Sequence, residues 1–159
     1  MARTGIDGKQ ITDNSVTGDD VDESTLVLNH FFYTTYTANS SSNKVFIRPV
    51  NTGSVDYNSV NNRFIVPSNG KIKYILIRSD ATPGSTEIGF HKASDGDQYL
   101  NDTATETQPV NISTEDTVVK ATFSNATFSA NDIIGISINP TNNHGRVNIT
   151  IVLELNISS

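Results

Sequence analysis

Residues 146–157 read RVNITIVLELNI: Val147, Ile149, Ile151, Leu153, Leu155 and Ile157 alternate with Asn148, Thr150, Val152, Glu154 and Asn156. A period of two is the side-chain period of a β-strand, so the six aliphatic residues fall on one face and the mostly polar set on the other. One buried face and one mostly wet face describe an antiparallel sheet, and a strand this long and regular belongs in its middle. Upstream, Ile134, Ile136 and Ile138 repeat the alternation before Pro140. Val119, Ala121 and Phe123 repeat it before the turn formers Ser124 and Asn125.

Working back toward residue 26, runs of β-branched and aromatic residues are punctuated by Gly, Pro, Asn and Asp, the signature of successive antiparallel strands. The candidate strands are 26–37, 44–50, 54–66 with an interruption at Asn61-Asn62, 71–79, 86–92, 117–123, 132–139 and 146–157. Ser68-Asn69-Gly70 and Asp95-Gly96 supply residues that tolerate positive φ between strands. Asp97 to Asp116 is polar and weakly patterned, and reads as a long surface excursion with one short strand around Val110 to Ile112. In Lys71-Ile72-Lys73-Tyr74-Ile75-Leu76-Ile77 both faces become apolar toward the end, as expected of a strand covered on both sides. Tyr74, Ile75 and Ile77 are therefore candidates for a subunit interface. Phe31 and Tyr33, on one face of the cluster His30-Phe31-Phe32-Tyr33-Tyr36, join them, and packing suits that cluster better than a sugar platform, since the chain has no Trp.

Composition agrees with an all-β reading. Of 159 residues, 48 are Ile, Val or Thr, which lose side-chain freedom in helices and suit pleated surfaces. Asn, Ser and Thr together number 54, apolar residues are only 35%, and the core must be thin. A net charge of −6 gives no positive field to gather phosphates, so neither nucleic acid nor an anionic membrane is an expected partner. The absence of Cys excludes disulfides, thiolate nucleophiles and zinc fingers. No apolar stretch reaches the roughly 18 residues of a membrane span, and the start has no apolar signal-peptide region, so the expectation is a soluble chain made in the cytoplasm.

Residues 1–25 differ from the rest. Gly and acidic residues dominate, no aromatic occurs, and Ile6, Ile11, Val16, Val21 and Leu26 recur at every fifth position. Five residues turn a helix 140° past a full turn, and in a strand an odd step reverses the face, so neither element gathers these side chains. The segment reads either as a disordered acidic leader or as an extended arm that pins one aliphatic side chain per repeat onto a partner, with Ile6, Ile11, Val16 and Val21 as the docking residues. The organisation expected is thus an extended arm over 1–25 and a β-sandwich over 26–159.

Sites for chemistry are sparse. His30, His91 and His144 lie in different candidate elements with no partner at metal-ligand spacing, and read as surface or strand-end residues. Many Ser and Asp residues are present, but no Gly-x-Ser-x-Gly elbow marks a nucleophile. No catalytic, cofactor-binding or metal site is expected. Asp95-Gly96-Asp97 could offer calcium two carboxylates, yet Asp-Gly is first a turn dipeptide. With Tyr99, Asp95 and Asp97 form a candidate ligand loop.

The leader GIDGKQITDNSVTGDDV, residues 5–21, resembles the Ile/Val-Thr-x-Asp and Thr-Gly-x-Asp-Ile/Val repeats near the N-termini of tailed-phage fibre and head-appendage proteins. The run FSANDIIGISI, residues 128–138, followed by the long final strand, is similar to the last two strands of jelly-roll domains of the C1q and tumour-necrosis-factor type. Asn131 stands where such domains usually carry Gly, and Asn can take the same turn geometry. The resemblance implies a jelly-roll β-sandwich, usually trimeric. Its function would be that of a non-enzymatic virion structural protein, a capsid decoration or fibre-like appendage of a tailed phage at the virion surface. Its partners would be its own copies in a homotrimer, other virion proteins bound by the arm, and a host surface glycan. The alternative is a tail-tip, receptor-binding or lectin-like carbohydrate-binding module.

Overall fold

A computed structural model describes residues 27–37, 43–47 and 63–156. The arm with Ile6, Ile11, Val16 and Val21, most of the candidate strand 54–66, and Ile157 lie outside the described residues. Ten strands are described: β1 (Val27–Thr37), β2 (Val45–Ile47), β3 (Phe64–Ile65), β4 (Gly70–Ser79), β5 (Gly84–Ala93), β6 (Glu106–Ile112), β7 (Val118–Thr122), β8 (Thr127–Phe128), β9 (Ile133–Pro140) and β10 (Arg146–Asn156). They form two antiparallel sheets of five. The first has the order β1-β10-β4-β7, with β8 also paired to β4. The second has the order β2-β9-β5-β6, with β3 also paired to β9.

The period-two reading of residues 147–155 holds: Val147, Ile149, Ile151, Leu153 and Leu155 are all buried, and β10 lies between β1 and β4. These side chains form one cluster with Ile72, Ile75 and Ile77 of β4, Ile88 and Phe90 of β5, and Ile134, Ile136 and Ile138 of β9. Both sheets therefore contribute their inner faces to a single core, which makes the described body a β-sandwich. Isoleucine dominates because a β-branched side chain fills a pleated surface with little rotamer freedom left to lose.

The two-faced look of 71–77 has a specific origin. Val152 pairs with Tyr74 but the next residue, Leu153, pairs with Ile72, so Lys73 is an extra residue on β4. This bulge resets the alternation, sending Ile72, Ile75 and Ile77 inward and Tyr74 and Leu76 outward. Close approach at Gly70 completes the strand start, where a Cβ would meet the Glu154 carbonyl oxygen and the Phe128 ring.

Three sequence expectations are corrected. Glu106–Ile112 is a seven-residue edge strand along β5, longer than the short strand expected in a loop; its exposed alternate positions and Pro109 gave a weak signal, and Pro suits an edge. The two-residue β8 was not foreseen. His91 and His144 lie near strand ends, two residues from the end of β5 and from the start of β10, but are buried at 0% and 1% exposure rather than lying at the surface. Asn131 does take the left-handed turn geometry, with φ of 70°.

Candidate functional site

The outer face of the first sheet is built by register. Phe31 of β1 pairs with Val152 of β10, Val152 with Tyr74 of β4, and Tyr74 with Thr122 of β7. The next row on that face is Tyr33, Thr150, Leu76 and Lys120. Phe31 is 69% and Tyr33 62% exposed, although both are large rings that water solvates poorly. Asn148 Nδ2 donates to the Tyr33 hydroxyl at 3.3 Å, and Lys120 Nζ sits 4.2 Å from the Tyr74 ring centroid. Ion pairs frame the patch: Lys71 and Lys73 with Glu154 at one end, Arg78 with Asp116 at 2.7 Å at the other. An apolar centre inside a charged rim is the layout of a protein-binding surface.

Of the residues named from sequence as an interface, Phe31, Tyr33 and Tyr74 share this face. Ile75 and Ile77 do not; they point into the core at 0% and 1% exposure. Leu76, which takes their place, follows by alternation from Tyr74; that this is the outward face depends on the bulge before it.

The outer face of the second sheet is covered by the β5–β6 connection. Leu100 from that connection is buried with Phe46 and Ala93, and Ile133 packs against them. His91 fastens the same segment. Its Nδ1–H donates to the Asn101 carbonyl at 2.8 Å, which leaves Nε2 of the neutral ring to accept the Ser137 hydroxyl, also at 2.8 Å. Burial holds the imidazole below its ordinary range against the opposing Asn101 hydrogen bond; nearby Lys44 adds to the lowering and Asp102 opposes it. A serine hydroxyl on a neutral imidazole is also the arrangement of a nucleophile and its base. Here Ser137 is 2% and His91 0% exposed in adjacent central strands, so the pair acts as a clamp. Lys44 braces the loop from outside, pairing with Asp102 at 2.6 Å.

The candidate ligand loop lies between β5 and that clamp. Asp97 closes a turn, its Oδ2 accepting the Ser94 N–H at 3.0 Å while its own N–H donates to the Ser94 carbonyl. Gly96 between Asp95 and Asp97 has φ of 93°, where a side chain would be strained. Asp95 is exposed and part of the turn alone. Asp97 and Gln98 instead line a cleft of about 500 Å³ with Arg63, Phe64, Ile65 and Ile133, and the neighbouring Tyr99 has the Arg63 guanidinium 5.6 Å from its ring centroid. Sequence reasoning missed Arg63 because only the fold brings residue 63 to residue 99. Among the described residues no group of three His, Cys, Asp or Glu is placed to hold a metal.

No protein-family model matches this sequence, and no curated protein is significantly similar to it.

Proposed function

We propose that this protein is a non-enzymatic structural component of a tailed-phage virion, a capsid decoration or fibre-like appendage whose sandwich assembles as a homotrimer while the arm over 1–25 docks onto the particle. The observation that carries the reading is the aromatic outer face of the first sheet. Phe31, Tyr33, Tyr74 and Leu76 form an apolar surface with a charged rim, which a second copy of the chain would cover. The jelly-roll form of the sandwich is part of this proposal. It is supported by strand order: β1 lies beside β10, and the consecutive strands β4 and β5, like β9 and β10, lie in opposite sheets.

The arm supplies attachment in this reading. Each of Ile6, Ile11, Val16 and Val21 contributes about 1.5–3 kcal/mol when fully buried, before ordering entropy is subtracted. Several weak anchors act together once three arms are linked by one trimer. Light scattering after size exclusion tests the assembly half: a mass near 52 kDa, three times the 17.2 kDa chain, is expected, and a monomer at micromolar concentration overturns it. Ile11→Asp with Val16→Asp tests the docking half. The double variant is expected to keep the oligomeric mass and lose incorporation into particles; incorporation at the normal level overturns the docking role.

A second reading, a carbohydrate-binding module, is favoured by one observation. The loop carrying Asp97 and Tyr99 borders a cleft that combines a cation, an amide, a carboxylate and aliphatic side chains.

A further inference from the structure

Lys44, Lys71, Lys73, Arg78 and Lys92 each lie within 4.0 Å of a carboxylate. Arg63 has no such partner among the described residues. Its Nη1 is shut away from solvent without an acceptor, so a ligand in the cleft meets the guanidinium through its other nitrogens. The residue forms one wall of the cleft of about 500 Å³, a volume in the range of about 300–1,000 Å³ typical of small-ligand sites.

The other walls define the occupant. Phe64, Ile65 and Ile133 offer an apolar surface, and Ile65 is 69% exposed there. Asp97 spends Oδ2 on the Ser94 N–H, which leaves Oδ1 as an acceptor. Gln98 offers both an amide donor and a carbonyl acceptor. A ligand that satisfies all of these presents a carboxylate to Arg63, hydroxyls to Asp97 and Gln98, and a C–H face to the aliphatic side chains. An acidic peptide meets Arg63 and the apolar wall and offers Asp97 a backbone N–H, but a sugar ring brings adjacent hydroxyls that donate to Asp97 and serve both the donor and the acceptor of the Gln98 amide. A neutral sugar leaves Arg63 unpaired. We propose that this cleft binds a uronic acid residue of an acidic glycan, with the Arg63 guanidinium gripping the carboxylate. The proposal rests on the carbohydrate-binding reading and is independent of the assembly reading.

The test titrates the full chain with α-1,4-linked tetragalacturonic acid and with its methyl ester, which keeps every hydroxyl and removes the charge. NMR shifts at Ile65, Gln98, Tyr99 and Ile133 are expected with the acid, and affinity for the ester at least about tenfold lower, the equivalent of one charged hydrogen bond. Arg63→Gln is expected to bring the acid down to the affinity of the ester while leaving ester binding unchanged. If that variant fails to fold, the comparison of acid and ester on the native protein still decides. Equal binding of acid and ester overturns the role of Arg63 and keeps the carbohydrate reading. No shift with either sugar at millimolar concentration overturns the proposal, and a silent array of neutral glycans would then remove the carbohydrate reading as well. Shifts at the same residues with a glutamate-rich peptide but not with the tetramer also overturn it, and identify an acidic-peptide cleft.

Discussion

Gly89 faces Ser137 across the β5–β9 ladder, and a Cβ built on it would lie 2.5 Å from Ser137 Oγ and 3.0 Å from His91 Nε2. The Ser137–His91 hydrogen bond that holds the ring in place therefore requires glycine at position 89. Gly89→Ala should cost about 1–3 kcal/mol, the usual penalty of forcing atoms into a filled interior, read as a lower urea midpoint at unchanged slope. His91 makes a second prediction, about pH. Burial depresses its folded-state pKa, so the unfolded chain binds the proton more readily. Stability is then full above about pH 6.5, the ordinary histidine value, and falls as pH drops toward the lower folded value. The charged groups around His91, in a second cleft of about 250 Å³, are Lys44, Glu87 and Asp102. The urea midpoint should thus decline as pH falls below about 6.5, and His91→Gln should flatten that decline. An identical slope in the variant would assign it to another group.

At the scale of elements, β6 does more than extend the second sheet. Val110 and Ile112 meet the core from one face, and on that same face Glu106 reaches the β7–β8 turn of the other sheet. Its carboxylate accepts the Ser124 N–H at 2.9 Å, the Asn125 N–H at 2.7 Å and the Gln108 amide at 2.9 Å. Burial pushes this carboxyl up, but the hydrogen bonds from Ser124 and Asn125 outweigh it and hold it below the usual range. A depressed carboxylate stabilises the fold above its unfolded pKa, about 4.3, and that contribution is lost as pH falls through the folded value. Glu106→Gln should cost about 1.5–3 kcal/mol at most at neutral pH, the range for hydrogen bonds to a charged group, and should weaken the acid sensitivity of the midpoint below about pH 4.3. Loss of the same stability at every pH would assign the effect to packing alone.

For the whole molecule the informative contrast is between the two outer faces. The second sheet covers its own, through Leu100 and the His91 clamp. The first sheet leaves Phe31 and Tyr33 bare beside Tyr74 and Leu76. If the sandwich assembles as proposed, Phe31→Glu together with Tyr74→Glu should reduce the solution mass to that of the 17.2 kDa chain while far-UV circular dichroism stays unchanged, because neither side chain belongs to the core. An unchanged oligomeric mass would rule this face out as the interface.

Local chemistry alone determined the all-β class, the burial of Val147 to Leu155, and the turn geometry of Asn131. A period of two, β-branched side chains and residues tolerant of positive φ act through their own backbone, so their consequences can be read in order along the chain. Tertiary structure decided everything that depends on partners distant in sequence. The Lys73 bulge exists only in register with β10, and it sets in the core Ile75 and Ile77, which the two-sided apolar look of the strand had joined to Tyr74 at an interface. His91 is buried because residues 100–101 fold back over it, and Arg63 becomes a cleft wall because β3 pairs with β9 beside the loop carrying Tyr99. Such contacts join residues tens of positions apart, and no periodicity encodes them.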